Sequence, residues 1–524
     1  MLTVGAIAIF VHQYLQHKRH PPGTAQHRHF GINYIFRAFQ VLSSAPTMIR
    51  IFLLLAALIS LSAPAYSEQN YKIPGFGEGN AVSLNQEYYL GRAWLMSFRR
   101  QAPIVDDALL QSYTENLVYR LVETSQLMER RLEIVLVENQ TINAFAVPGG
   151  IVGIHTGLIA KAQNEAQFSS VIAHELAHLS QRHFSRGIEA RKKSSAATMA
   201  GLLGGLIMIA AGAPDAGMGA MMGGQAAAMD SQLRYSRLHE KEADRVGMQN
   251  QVSAGLDPGG AAGMFTIMQE ASRSYGARPP EFLLTHPLTE NRIADAKNRA
   301  ATFPKRMYED SPEFQLMRSR VELSFIEDDK QAIAKFRKQR KKGGRQAVPA
   351  QYGLILALTR SGEFAEAREL LKPMREFAPH NIVYNVAEAD INIASGKYDV
   401  AIAQMQEGLS LSPGNHPLTM TLADGYFKGG YYAKADKLLS RHARSHHSDA
   451  NLWYLLAEVQ GKAGNILGLH QSRAEYFALN GAMKQAIEQL NLALPLAKNQ
   501  VTAERIHTRI EHFQMIDRAL NSMR

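Results

Sequence analysis

The chain has 524 residues, 46% hydrophobic and 20% charged, a composition that suits several globular domains and excludes a disordered or fibrous protein. Its 57 Lys and Arg outweigh 47 Asp and Glu, but residues 1–67 hold five of those bases and no acid, so the small surplus left elsewhere makes no case for nucleic acid. Cysteine is absent, which excludes disulfides, a thiol nucleophile and thiolate metal ligands, so any metal site must use His, Asp and Glu.

Ile51–Leu61 is apolar apart from Ser60, follows Arg50 and precedes Ser62-Ala63-Pro64-Ala65. That is the layout of a secretory signal, expected over 48–67, and it falls short of the roughly 20 residues that a membrane span needs. On this reading residues 1–47 are an over-extended start, or else an N-terminal arm. Residues near Leu84–Leu127 have a helical period and should form two helices broken around Pro103. Leu132–Val137, Ile142–Val147 and Ile151–His155 read as strands, with Pro148-Gly149-Gly150 as a turn. The third strand is expected to be a sheet edge on which Ile151, Val152 and Gly153 pair with an unfolded substrate chain.

Asn164 is placed to cap a helix running to about Arg186, with Gln167 at the third helical position. Inside it lies His174-Glu175-Leu176-Ala177-His178. Histidines four apart share a helix face, so both can reach one Zn²⁺ at about 2.0–2.1 Å, with Glu175 beside them as general base. A longer H-E-x-x-H-x-x-G-x-x-H pattern fails, because Gln181 and Phe184 stand where it needs Gly and His. His183, one place out, reads as a surface or helix-stacking residue. A weakly apolar stretch follows at 194–229, expected to be a hairpin in peripheral contact with a membrane, or a buried one; a membrane-integral protease is the alternative if Ser194–Pro214 spans.

Glu240 and Asp244 share a face of the next helix. Glu240 can complete a His₂Glu zinc site with water in the fourth position, and Asp244 can accept a hydrogen bond from a ligand histidine. Glu242 points away from that face. In Thr285-His286-Pro287 a proline-fixed loop can present a neutral imidazole, either as a fourth ligand that closes the site or as an ordinary capping histidine. A basic linker is expected at 336–348. Beyond it Gly362, Gly396, Gly430 and Gly464 recur every 34 residues, as do Ala367, Ala401 and Ala435 and, in a second series, Ala389, Ala423 and Ala457. That period is the tetratricopeptide one, a helical solenoid with a groove for extended partners.

His174–His178, Glu240–Asp244, the Asn143–Gly150 hairpin and Thr285-His286-Pro287 together resemble the M48 family of zinc metallopeptidases. The resemblance implies a mainly α chain: a zincin-like α+β metallopeptidase domain with a small sheet at 68–335, then an all-α solenoid at 349–515. It implies Zn²⁺ on His174, His178 and Glu240, and catalysis by Glu175. Asp244 would be a proton donor or a support for a ligand, and His286 a switch. With the signal and the repeats, it implies a periplasmic protein. Such a protein would degrade unfolded or stalled outer-membrane proteins, aid productive ones as a chaperone, and meet the barrel assembly machinery through its repeats. A repeat-based chaperone or adaptor with a latent metal site is the competing reading.

Overall fold

The computed structural model describes residues 83–189, 237–274 and 280–522; the expected signal at 48–67, residues 1–47 and the stretch 194–229 lie outside them. Two capped helices come first. Helix α1 (Leu84–Arg99) starts in a reciprocal cap between Ser83 and Gln86, and α2 (Ala108–Thr124) starts where Asp107 accepts from the Leu110 amide. The break between them contains Pro103, which can neither donate a backbone hydrogen bond nor continue a helix.

Strands β1 (Glu133–Val137), β2 (Ala144–Val147) and β3 (Ile151–His155) form a sheet in the order β1-β3-β2. Strand β3 runs parallel to β1 and antiparallel to β2. Ile151, Val152 and Gly153 therefore lie in the central strand, not at an edge, and all of β3 is buried. The cause is a long-range pairing: β1 covers the side of β3 that the hairpin leaves open. The strand next to the helix that carries His174 and His178, with one edge outside the sheet, is β2. Gly153 stands opposite Phe145, and a Cβ there would overlap its ring, so the glycine makes room for an aromatic packed on Trp94 and Phe98.

After a short α3 (Thr156–Lys161), helix α4 (Glu165–Ser180) is capped by Asn164, which accepts from the Gln167 amide. It is the central beam of the domain, with Phe168, Ile172, Ala173 and Leu176 in the main core. It ends earlier than expected, and α5 (His183–Glu189) follows after a break at Gln181-Arg182. Helices α6 (Arg237–Ser253) and α7 (Gly259–Ser274) pack on α4, followed by α8 (Phe282–Thr285) and α9 (Glu290–Thr302). The α4–α6 approach is close: a Cβ on Gly247 would sit 2.9 Å from the Ala173 carbonyl oxygen.

Helices α10 (Pro312–Ser324) and α11 (Asp329–Lys341) precede the periodic region. The stretch 336–348 is thus no free linker. It holds the end of α11, a single 3₁₀ turn and the start of the next helix, with Phe336 buried against Gly353 while the bases Arg337, Lys338, Arg340, Lys341, Lys342 and Arg345 face solvent. Five pairs of antiparallel helices follow: α12/α13 (Ala347–Ser361, Phe364–Phe377), α14/α15 (Ile382–Ala394, Tyr398–Leu411), α16/α17 (His416–Lys428, Tyr432–His442), α18/α19 (Ala450–Lys462, Ile466–Leu479) and α20/α21 (Met483–Ala493, Gln500–Ser522). Gly362, Gly396, Gly430 and Gly464 all take positive φ, between 73° and 84°, which is why the 34-residue glycine recurs. The periodic alanines are buried between helices. The stack touches the preceding domain through α16 on α2, and Arg99 of α1 donates to the Ser448 carbonyl at 3.1 Å.

Gly247→Val should force α6 away from α4, lowering stability by about 1–3 kcal/mol and weakening zinc binding. Thermal unfolding beside zinc content checks this, and a variant matching the wild type in both would show that the close approach is dispensable.

Candidate metal centre

His174 and His178 sit one turn apart on α4, both buried, with their Nε2 atoms 3.0 Å apart. Glu240, in the first turn of α6, faces them: its Oε2 is 3.6 Å from His174 Nε2 and its Oε1 3.4 Å from His178 Nε2. His286 arrives at the end of α8, fixed by its own amide bonding to the Phe282 carbonyl and by its ring stacking on that phenyl. Its Nδ1 is 3.0 Å from Glu240 Oε1 and 3.4 Å from His174 Nε2. All four residues offer ligand atoms within 4.8 Å of one another. A tetrahedral zinc site with bonds of about 2.0–2.1 Å spaces its ligand atoms by about 3.3–3.4 Å, and the separations here bracket that value. Among the described residues this donor set suits zinc without adjustment of the backbone.

Further groups aim and charge these side chains. Asp244, one turn after Glu240, has Oδ1 3.0 Å from His174 Nδ1, so it accepts that N–H and leaves Nε2 with its lone pair for a metal. Arg292, buried on α9, donates to both oxygens of Asp244 at 2.7 and 2.8 Å, and its Nη1 lies 2.8 Å from Glu240 Oε2. Burial disfavours a charged His174, but Asp244 and Glu240 outweigh it and raise the imidazole to about 9. Burial likewise works against ionised Asp244, and His174 and Arg292 overcome it and hold the carboxyl below its usual range. The ligand carboxyl of Glu240 lies well below normal because the three histidines outweigh burial.

Glu175 points to the same space. Burial pushes its carboxyl up, His286 and His174 oppose the shift, and the Ala146 amide of β2 donates to it. Its Oε1 is buried without a hydrogen bond, 3.4 Å from His286 Nε2. A buried carboxylate oxygen without a hydrogen bond fits a site built to receive a polar reactant.

Comparison with known proteins agrees with this geometry. The Peptidase family M48 model matches residues 108–300, and a tetratricopeptide repeat model matches 392–459. The beta-barrel assembly-enhancing protease of Escherichia coli (strain K12) is 33% identical over 468 residues, covering 88% of this chain and 96% of that protein. Its counterpart in Yersinia pestis is 32% identical over 445 residues, 84% of this chain and 91% of that one. The mitochondrial metalloendopeptidase OMA1 of Arabidopsis thaliana is 28% identical over 197 residues, 38% of this chain and 37% of that one. The chain belongs to peptidase family M48. It is a zinc metallopeptidase of mainly helical fold carrying tetratricopeptide repeats.

One part of this M48 site escaped the sequence pattern. His183 is not a surface residue: it is buried, with Nδ1 2.9 Å from His178 Nδ1 and Nε2 3.1 Å from Glu242 Oε2, and it stacks on His239. Glu242, which points away from the Glu240–Asp244 face, also takes Arg186 at 3.1 Å. One tautomer pattern satisfies every atom. His178 donates through Nδ1 to His183 Nδ1, His183 donates through Nε2 to Glu242, and His178 Nε2 keeps its lone pair for the metal. Burial holds His183 down to about 4, so it stays neutral in this role. Position 183 can do this because the chain leaves the helix at Arg182, whose φ is +51°. Arg182 is held there by Glu87 of α1, at 2.6 and 3.0 Å.

His183→Phe should keep the stacking on His239 but remove the acceptor behind His178, weakening zinc binding by about 10–100-fold. Competition with a chelator measures this, and unchanged affinity would mean that His178 needs no such support.

Proposed function

We propose that the protein is a periplasmic zinc endopeptidase for quality control and assembly of outer-membrane β-barrel proteins. The names of the relatives that align with most of the chain support this reading, as does the signal-like segment at 48–67. We assign the peptidase domain to 68–335. The tetratricopeptide region at 349–515 would engage stalled outer-membrane proteins and the assembly machinery. Among the described residues no helix is long and apolar enough to cross a membrane. The spanning alternative rests on 194–214, outside them.

His174, His178 and Glu240 would hold zinc, which when bound acidifies water and polarises a peptide carbonyl. Glu175 would take the proton from the attacking water and return it to the leaving amine; burial raises its carboxyl, the direction a general base needs. Asp244 is already committed to His174 and Arg292, so it would act by orienting His174 and not as a proton donor. One observation carries the regulatory part. His286 lies between ligand and base, 3.0 Å from Glu240 and 3.4 Å from Glu175, in the space that a reacting water and peptide need. We read this as a resting state with His286 as the fourth ligand. Activity then requires the short α8 to withdraw it. A pure chaperone would have no use for the unsatisfied Glu175 oxygen, which favours the peptidase.

Glu175→Gln should retain zinc and lose about 10²–10⁴-fold in proteolysis of an unfolded substrate such as casein. Residual activity near wild type would remove Glu175 from the mechanism. His286→Ala should retain zinc and cleave faster, itself included; unchanged rates together with unchanged metal affinity would leave His286 an ordinary loop residue.

A further inference from the structure

A second group of histidines gathers in the repeats, on elements that supply nothing to the peptidase centre. His416 opens α16, His442 closes α17, and His446 lies in the connection to α18. His416 Nδ1 and His442 Nε2 are 2.9 Å apart. The rings of His442 and His446 stack at 3.9 Å, and those of His416 and His446 at 4.9 Å. Each offers a nitrogen within 4.8 Å of the other two. Asp449 Oδ2 lies 3.8 Å from His416 Nε2.

We propose that His416, His442 and His446 form a second metal site, a three-imidazole site for a divalent ion of zinc's class, with Asp449 at its rim. Imidazole nitrogens suit zinc, copper and nickel, whereas calcium and magnesium demand oxygen ligands. The stacked rings do not yet converge. His442 is buried, whereas His416 and His446 are partly exposed, and closing on an ion would need their rings to turn about χ2.

The location gives the ion a structural task. The 442–449 connection that it would pin also carries Ser448, whose carbonyl accepts from Arg99 of α1. An ion held there fastens the seam between repeats and peptidase region and needs no part in hydrolysis.

The test is calorimetric titration of ZnCl₂ into the full chain carrying His174→Ala and His178→Ala, with and without His416→Gln and His446→Gln. With the repeat histidines intact, zinc should bind and raise the melting temperature. With both glutamines the affinity should fall at least about tenfold and the thermal shift should vanish, while melting in EDTA stays the same. The difference between the two backgrounds is the reading, because the chain has 19 histidines that can bind zinc loosely. If the double variant melts early in EDTA, His446→Gln alone, at a half-exposed position, decides. Equal zinc affinity with and without the glutamines, or no binding to either, overturns the proposal.

Discussion

The metal centre depends on burying one guanidinium between two carboxylates. Arg292 is nearly inaccessible to water, and a charge in that position is tolerable only when paired and fully hydrogen-bonded. Asp244 and Glu240 supply the pairing, while the Pro287 carbonyl takes a further donor. Removing one member of such a set typically costs about 3–5 kcal/mol, because the survivors are left as bare buried charges. Through this contact α9 fixes α6, α6 presents Glu240 and Asp244 to α4, and Asp244 sets the tautomer of His174. The Pro287 contact also ties Arg292 to the residue after His286. Ligand, support and candidate switch thus share one electrostatic anchor.

Backbone proximity does the rest. Glycines stand where α4 meets its neighbours: Gly247 on α6 faces Ala173, and Gly260 on α7 faces the Ala166 carbonyl. A helix whose whole surface is covered this way cannot rotate without breaking packing on several sides, so the direction of His174 and His178 is set by volume as much as by hydrogen bonds. Strand β2 closes the remaining flank, and its Ala146 amide reaches Glu175.

Much of this was legible in the chain. Helical spacing alone paired His174 with His178 and Glu240 with Asp244, a proline placed His286, and a 34-residue period revealed the repeats. Each of these signals is local or strictly periodic. What stayed hidden depends on contacts between distant segments or on an exception to backbone preference. An apolar pentapeptide reads alike at an edge or in the middle of a sheet, and β3 is central only because β1, beyond the hairpin, pairs with it. The apolar face of α11 is Ala332, Ile333 and Phe336, and a run of bases at its end masked it. His183 lay one place from a known pattern, and nothing in Gln181-Arg182 announces a left-handed residue. Arg292 was visible as a charge on a helix, but its two partners lie 48 and 52 positions earlier in the chain.

Arg182 has a consequence beyond its own turn. A non-glycine residue at positive φ costs about 1–3 kcal/mol, and Glu87 of α1 is what holds this one in place. Helix α1 is thus a strut with two loaded ends: Glu87 braces the turn that puts His183 behind His178, and Arg99 grips the Ser448 carbonyl in the repeats. Thermodynamic reciprocity then applies. Any cargo on the solenoid that shifts α1 changes the grip on the metal by some factor, and loading the metal changes the grip on that cargo by the same factor.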